Sequence, residues 1–220
     1  VMSTFFLLDW CRKKGVKRFL YSSSMSVYGE PNYLPVDENH SMQPKTFYAA
    51  AKISAEAYIK FYQSLGINTT IFRLFSVYGP GQNLNNKIQG MVSVYLSYML
   101  ENVPIQVRGS KERFRDFIYI DDVVDVWIAS LNNPIAYGKI YNLATGKIVK
   151  IDELLGMLKS LYGGQNYPIE YREDGTPGDQ FGIVADIGLI QRELNWSHKV
   201  GLKTGLDKML RYYQKKTNIK

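Results

Sequence analysis

The sequence VKRFLYSSSMSVYG, residues 16–29, predicts a buried strand that runs directly into a series of hydroxyl side chains. Its centre is apolar, with Phe19, Leu20 and Tyr21 in succession, and we place the strand at residues 16–22. In an open α/β sheet, ligands bind at the carboxyl ends of the parallel strands. The serines therefore occupy the position of a ligand site, although a serine-rich turn without a function gives the same sequence.

Outward from this strand, helix-like and strand-like segments alternate along the chain. The alternation predicts an α/β protein whose parallel strands are joined by helices. Gly15 and Gly66 close the two helices nearest the strand. The predicted helices are residues 2–14, 46–65, 88–100 and 122–131, and the predicted strands are residues 16–22, 69–74, 105–107, 117–120 and 140–143. Residues 151–162, 169–171 and 202–213 continue the alternation less regularly.

The composition is that of a globular chain, with 45% hydrophobic and 21% charged residues among 220. The longest nearly uncharged stretch, residues 91–100, covers half of the roughly 20 apolar residues that a membrane-spanning helix needs, so we expect no membrane partner. The net charge is +7, but the basic residues are scattered, which argues against nucleic acid as a partner. A single cysteine, Cys11, gives no sign of an oxidising compartment, and we expect a cytoplasmic protein.

The alanine-rich helix carries a tyrosine and a lysine four residues apart, Tyr48 and Lys52. This spacing puts both side chains on one face of the helix, one turn apart. A phenol is a poor base at neutral pH, but a nearby ammonium favours its ionised form, so such a pair can act as a general base. The same pattern fits a surface lysine beside a half-buried tyrosine, and the neighbouring motifs decide between the two interpretations.

Five motifs follow one another along the chain: SSSMSVYG at residues 22–29, YAAAK at 48–52, RLFSVYGPGQ at 73–82, RDFIYIDD at 115–122 and YNLATG at 141–146. In this order they resemble the extended short-chain dehydrogenase/reductases, in the nucleotide-sugar epimerase/dehydratase branch that includes enzymes like UDP-glucose 4-epimerase. The resemblance implies NAD as cofactor and a Rossmann-type, doubly wound parallel sheet with a smaller α/β substrate-binding domain. It assigns residues 1–78 and 119–145 to the NAD-binding part, and residues 79–118 and 146–220 to the substrate-binding part.

One element that the resemblance implies does not occur in this sequence. The family places a Gly-x-x-Gly-x-x-Gly turn after its first strand, where it holds the cofactor pyrophosphate at a helix N-terminus. Gly79 and Gly81 follow a strand, but Asn83, Asn85 and Asn86 come next, where a helix should begin. We therefore expect an incomplete Rossmann sheet whose first half, roughly one hundred residues of the family pattern, is missing from this sequence.

The resemblance also implies roles for individual residues. It makes Tyr48 the catalytic acid/base, Lys52 the residue that binds the nicotinamide ribose, and Ser24 the hydroxyl that contacts the sugar hydroxyl to be oxidised. It places Ser22, Ser23 and Phe75 beside the cofactor and Ser76 and Arg115 beside the substrate, with Arg115 on the diphosphate; it implies no metal.

Some of these residues have simpler interpretations. Phe75 also fits an ordinary core residue, and Arg115 also fits a surface ion pair with Asp116 or Asp121. Arg73 is assigned to structure rather than to the reaction.

Two positions depart from the pattern of family members that bind UDP-sugars. Those members commonly carry Asn where this chain has Ser76, and Arg where it has Thr176, three residues before Asp179. Both changes remove contacts to the diphosphate, so the identity of the nucleotide stays open. Arg172, four positions before Thr176, is a candidate replacement.

The residues of the serine loop favour epimerisation over dehydration. The resemblance implies that dehydratases carry Asp-Glu directly after the loop hydroxyl, where this chain has Met25 and Ser26. Neither side chain is an acid, although Glu30, Asp37 or Glu38 could swing towards the site. We expect an epimerase acting at C4 of a nucleoside-diphosphate hexose through a keto intermediate. The alternatives are a keto-sugar reductase, a dehydratase of the same family and a truncated, non-catalytic binding module.

We also expect a homodimer. The resemblance implies that the helices at residues 2–14 and 46–65 pair with their counterparts across a two-fold axis. Both helices carry more apolar residues than one buried face requires, including Phe6, Leu7 and Phe61.

Overall fold

The computed structural model describes residues 1–88, 90–164, 166–172 and 180–217. In chain order its elements are α1 (Met2–Lys13), β1 (Arg18–Ser24), α2 (Phe47–Ser64), β2 (Asn68–Leu74), β3 (Ser76–Tyr78), α3 (Met91–Leu100), β4 (Ile105–Arg108), β5 (Phe114–Arg115), β6 (Phe117–Tyr119), α4 (Ile120–Ser130), β7 (Lys139–Leu143), β8 (Val149–Lys150), α5 (Ile151–Tyr162), β9 (Ile169–Arg172), α6 (Gly188–Leu194) and α7 (Leu202–Thr217). Short 3-10 turns lie at Met25–Tyr28 and Pro134–Ala136. No helix in these parts of the chain is both long enough and apolar enough to cross a bilayer.

A three-stranded parallel sheet in the order β1–β2–β7 carries the predicted ligand edge. Ser24 of β1 lies opposite Leu74 of β2, which lies opposite Leu143 of β7, so the three carboxyl ends meet at one edge. Three shorter pairs occur elsewhere: β3–β6 and β4–β9 are parallel and β5–β8 is antiparallel. The prediction of an α/β fold with parallel strands is confirmed.

Helices cover both faces of the central sheet, because successive residues of a strand point to opposite sides. On β2, Ile71 packs with Ile59 of α2, and α1 joins the same cluster. The next residue, Phe72, packs with Val126 of α4 and Ile190 of α6. A strand buried on both faces carries apolar side chains on both, which explains the adjacent apolar residues Ile71 and Phe72 at the centre of β2.

A further hydrophobic cluster lies among α3, α5, α7 and the strands β4 and β6. Its fully buried members include Met99, Ile105, Leu154 and Met209. This cluster falls largely within the segments predicted to bind substrate, and the division of the chain at residues 79–118 and 146–220 remains our proposal.

Most element boundaries lie within two residues of the predicted positions, and two of the differences have identifiable reasons. β1 extends to Ser24 because the serines continue the register with β2, Ser23 opposite Arg73. α3 begins at Met91 rather than at residue 88, because Gly90 adopts a φ of 87° that is incompatible with a helix and leaves Ile88 outside it, 88% exposed. The elements β3, β5, β8 and α6 span two to seven residues, too few to establish a periodicity in the sequence.

Candidate active site

The N-terminus of α2 brings the predicted tyrosine and lysine to the sheet edge. Thr46 caps the helix, and its Oγ1 accepts a hydrogen bond from the Ala49 N–H at 3.1 Å. The alanines that follow favour a helix and keep its surface small beside the strands. Tyr48 is 53% exposed and Lys52 is partly buried, so the phenol is accessible to solvent.

Lys52 connects α2 to the end of β1. Its Nζ donates a hydrogen bond to the Ser22 carbonyl oxygen at 2.7 Å and lies 5.4 Å from the centroid of the Tyr48 ring. The centroid of the Tyr21 ring lies 4.9 Å from the same Nζ. Burial lowers the pKa of Lys52, and the Glu56 carboxylate opposes that shift. The fold thus brings together the ammonium, the phenol and the serine end of the strand.

Ser24 lies at the start of the 3-10 turn Met25–Tyr28. Its Oγ accepts hydrogen bonds from the Ser26 N–H at 3.2 Å and from the Ser26 hydroxyl at 2.7 Å. Both bonds use the oxygen as acceptor, so the O–H hydrogen is left to donate to a ligand. Gly29 ends the motif at a φ of 64° with its Cα against the Gln43 carbonyl, where a side chain has no room.

Ser22 and Ser23 have different surroundings. The main-chain oxygen of Ser22 holds Lys52, as described above, and its side chain is partly buried. The hydroxyl of the buried Ser23 donates to Glu56 Oε1 at 2.5 Å, so its polar group is directed to the protein itself. Contact of either serine with a cofactor remains a prediction.

Phe75 and Ser76 follow β2 and lead into β3. Phe75 is buried in a cluster with Val27, Tyr28 and Ala144, in agreement with the simpler interpretation as a core residue. The Ser76 N–H donates to the Asp116 carbonyl oxygen at 3.0 Å, and its side chain is partly buried.

Arg115 is 4% exposed and holds main-chain oxygens. Its guanidinium donates to the carbonyl oxygens of Phe114 at 2.7 Å, Gln180 at 2.8 Å and Phe181 at 3.2 Å. These bonds anchor the segment that begins at Gln180 beside β5. The predicted contact with a substrate diphosphate is therefore additional to a structural role.

The candidate replacement for the missing diphosphate contact lies in the described part of the chain, whereas the second departure from the UDP-sugar pattern does not. Arg172 is exposed at the end of β9, opposite Arg108. Thr176, Gly178 and Asp179 lie outside the described residues.

Sequence reasoning missed two buried carboxylates at this edge. Asp116 accepts four hydrogen bonds from Thr145, Gly146 and Ala185 and fixes the loop after β7. The buried Glu56 forms an ion pair with Arg73. The sequence does indicate that Glu56 lies on the same helix face as Lys52, because it follows Lys52 by four residues.

The described residues contain no group of three or more His, Cys, Asp or Glu side chains that could hold a metal ion.

Comparison with known proteins gives consistent matches along the chain. The chain is 33% identical to a putative UDP-glucose 4-epimerase of Methanocaldococcus jannaschii, over 96% of this chain and 68% of that protein. The structure of a UDP-N-acetylglucosamine 4-epimerase from Methanobrevibacter ruminantium is similar, with a TM-score of 0.92, 27% identity and coverage of 98% of this chain and 69% of that one. A UDP-glucuronic acid 4-epimerase from Bacillus cereus, solved with UDP-glucuronic acid and NAD, has a TM-score of 0.89 and 28% identity, covering 98% and 67% of the two chains.

These matches confirm the Rossmann-type fold. They do not single out one reaction of the family. The chain spans 62% and 63% of the length of two other curated relatives. The relatives also include a dTDP-glucose 4,6-dehydratase and a UDP-glucuronic acid decarboxylase. The family model for NAD-dependent epimerases and dehydratases matches residues 1–144. Because this match covers more than half of the chain, the chain belongs to the NAD-dependent epimerase/dehydratase family, whose cofactor is NAD.

Proposed function

We propose that this protein is an NAD-dependent nucleotide-sugar epimerase that inverts C4 of a nucleoside-diphosphate hexose through a keto intermediate. The observation that carries the proposal is the hydrogen bond from Lys52 Nζ to the Ser22 carbonyl oxygen, which ties the helix turn of Tyr48 and Lys52 to the end of β1, two residues before Ser24. A base, a cation and a hydroxyl donor at one edge are the groups that the oxidation of a sugar hydroxyl needs.

The donor groups at this edge fit the nicotinamide end of NAD. The described residues offer the Lys52 ammonium, the Tyr48 phenol and the hydroxyls of Ser22 and Ser24, and ribose hydroxyls are suited to such partners. All four lie at or beside the carboxyl end of β1, where ligands of parallel sheets bind. When bound, NAD supplies a reversible acceptor for the hydride of the sugar carbon.

The residues of the chain then handle the proton. Tyr48 removes the proton from the C4 hydroxyl as that carbon is oxidised, and the Lys52 ammonium stabilises the phenolate that performs this step. Ser24 donates its O–H to the same sugar oxygen and holds it near Tyr48. Return of the proton from Tyr48 to the carbonyl oxygen, after reduction on the opposite face, completes the inversion.

The acids near the serine loop support epimerisation over dehydration. Glu30 pairs with Lys45 at 3.1 Å. The Asp37 carboxylate accepts a hydrogen bond from the Asn39 N–H at 2.9 Å, and the Glu38 carboxylate accepts one from the Asn142 N–H at 2.7 Å. Each of the three acids that could replace an Asp-Glu pair has a partner elsewhere, and removal of water needs an acid at the leaving hydroxyl.

We also propose that α1 and α2 form the contact of a homodimer. Phe6, Trp10 and Phe61 project from these helices and are each more than half exposed. Exposed aromatic residues on neighbouring helices are typical of an interface, and one helix pair from each protomer gives an isologous contact.

Product analysis tests the proposed reaction. The natural-length protein is incubated with NAD and a panel of UDP-, GDP- and dTDP-hexoses, and the products are followed by NMR. An equilibrium pair of C4 epimers that disappears in Tyr48→Phe supports the proposal. Accumulation of a 4-keto-6-deoxy sugar would assign the protein to the dehydratases instead.

A further inference from the structure

A row of polar side chains crosses the sheet beneath α2. Ser23, Arg73 and Asn142 lie side by side in register on β1, β2 and β7, and all three are buried. The residues two positions before Ser23 and Arg73 are Tyr21 and Ile71, which pack in the apolar cluster under α1 and α2. At the end of the sheet that carries the site, polar side chains that form hydrogen bonds therefore occupy positions that are apolar two residues earlier.

Glu56 of α2 binds one end of this row. Its Oε1 accepts hydrogen bonds from the Ser23 hydroxyl at 2.5 Å and from Arg73 Nε at 3.1 Å, while its Oε2 accepts from Arg73 Nη2 at 2.8 Å. The Arg73 contact is bidentate, and each side chain is 2% exposed. Burial opposes the charged form of Arg73, but the bonds and charge of Glu56 outweigh it and raise the pKa of this guanidinium.

The other end of the row is fixed as well. Arg73 Nη1 donates to the Tyr28 hydroxyl at 3.1 Å and to the Glu38 carbonyl oxygen at 2.9 Å. Tyr28 in turn donates to Asn142 Oδ1. Burial raises the pKa of Tyr28, so its hydroxyl stays a donor. Arg73, the middle member of the row, is thus held from two sides.

Stability alone is a poor explanation for this ion pair. Desolvation of two buried charges offsets most of their attraction, and well-packed apolar residues of similar volume are often equally stable or more so. A bidentate pair with satisfied partners does, however, fix the relative position of the elements that carry it. Here those elements are α2 and β2, and the same carboxylate reaches β1 through Ser23.

We propose that Glu56 is a positioning residue for Tyr48 and Lys52, held in place by Arg73; the proposal rests on the function proposed above. Glu56 follows Lys52 by one helical turn, so fixing its carboxylate to β1 and β2 fixes the turn that presents Lys52 to the Ser22 carbonyl. A shift of this turn moves the ammonium and the phenol together, away from Ser24. Displacements of about 1 Å at a reacting centre cost on the order of 10²-fold in rate.

Glu56 also opposes the loss of the proton from Lys52. The groups that face the ammonium are Tyr48 and Glu56 from α2 and Tyr21 from β1, with Arg73 of β2 behind Glu56. Removing the carboxylate withdraws an attraction and leaves the Arg73 charge unpaired. Both changes lower the pKa of Lys52, so the ammonium is lost at a lower pH.

Two variants and one control test the proposal in the natural-length protein. Glu56→Gln removes the charge, and Glu56→Gln combined with Arg73→Gln removes the pair without leaving a buried charge, in case the single variant fails to fold. Ile59→Ala is the control, because it shortens a fully buried side chain of the same helix outside the row. The readouts are kcat, KM, the pH profile and the NMR titration of the Lys52 side chain without substrate.

For Glu56→Gln we expect kcat to fall on the order of 10²-fold with KM within about threefold. We also expect the basic limb of the profile and the Lys52 titration to move to lower pH. The double variant keeps the low kcat, and the control keeps the wild-type titration. A kcat within about threefold of wild type in either variant, or a loss equal to that of Ile59→Ala with unchanged Lys52 titration, overturns the positioning role. If the wild-type protein turns over no nucleotide-sugar, the proposed function fails, and the Lys52 titration alone decides the role of Glu56.

Discussion

Replacing Asp116 by asparagine tests whether a buried carboxylate holds the loop that follows β7. Oδ1 of Asp116 accepts hydrogen bonds from the Thr145 N–H at 2.8 Å and the Thr145 hydroxyl at 2.7 Å. Oδ2 accepts from the Gly146 N–H at 2.9 Å and the Ala185 N–H at 3.3 Å. Asparagine has nearly the same size but keeps one oxygen only, so the N–H groups on the other side lose their acceptor.

The two orientations of the asparagine differ in cost. If its NH₂ faces Gly146 and Ala185, two buried N–H groups are left unpaired, at about 1–3 kcal/mol each. If the NH₂ faces Thr145, the Thr145 hydroxyl rotates to accept from it, and one N–H is left unpaired. We expect this second orientation. The remaining bonds also lose their charge, so the total loss for opening this loop is about 2–4 kcal/mol.

Hydrogen exchange of the Thr145 and Gly146 amides measures this loss locally. A cost of about 2–4 kcal/mol corresponds to exchange roughly 30- to 900-fold faster than in the wild-type protein. Thr145→Val is the matched control, because it removes the hydroxyl that rescues the asparagine. In that background Asp116→Asn should accelerate exchange more than it does alone. Exchange within about threefold of wild type in Asp116→Asn would refute the view that the carboxylate holds the loop.

Three further predictions concern the site and the assembly. Tyr48→Phe should lower kcat by about 10²–10⁴-fold without changing the circular dichroism spectrum, and a loss below tenfold contradicts its role as general base. Relative to the wild-type protein, the Lys52→Met variant should be most stable at neutral pH. Burial lowers the pKa of Lys52 in the folded protein, so at alkaline pH the unfolded chain binds more protons than the folded one. The free energy of unfolding of the wild type should therefore rise relative to that of the variant as the pH approaches the unfolded pKa near 10.5. Urea titrations of both proteins at pH 7 and 10 measure this difference. Phe6→Asp should yield monomers in sedimentation equilibrium, whereas Ile128→Asp, which changes an exposed residue on α4, should not; a dimeric Phe6→Asp excludes the α1–α2 interface.

Local sequence patterns were sufficient to predict the features that depend on a single helix or strand. The position of β1 followed from its apolar centre and that of α2 from its alanine content and the closing Gly66. The shared face of Tyr48 and Lys52 followed from their separation of four. Local patterns could not predict hydrogen-bond partners that lie on other helices or strands. Glu56 and Arg73 lie 17 residues apart, and no local pattern indicates that a strand arginine is bidentate to a helix glutamate. Arg115 was assigned to a diphosphate by resemblance, but the carbonyl groups that it holds come from Gln180 and Phe181, 65 and 66 residues later.

The alternation of side chains along β1 explains why three adjacent serines have three different surroundings. Phe19 and Tyr21 pack under α1 and α2, and Leu20 packs on the opposite face. Because the period of a strand is two, Ser23 continues the α2 face and meets Glu56, whereas Ser22 and Ser24 lie on the opposite side. Ser22 then contributes its carbonyl oxygen to Lys52, and Ser24, at the last position of the strand, is left with a hydroxyl hydrogen to donate. A run of identical residues thus separates into one that positions the helix, one that holds the ammonium and one that can meet the substrate. Exchange for alanine should therefore separate the three residues. Ser23→Ala should shift the Lys52 titration and Ser24→Ala should lower kcat, whereas Ser22→Ala should leave the Lys52 titration unchanged because the main-chain bond to Lys52 stays in place.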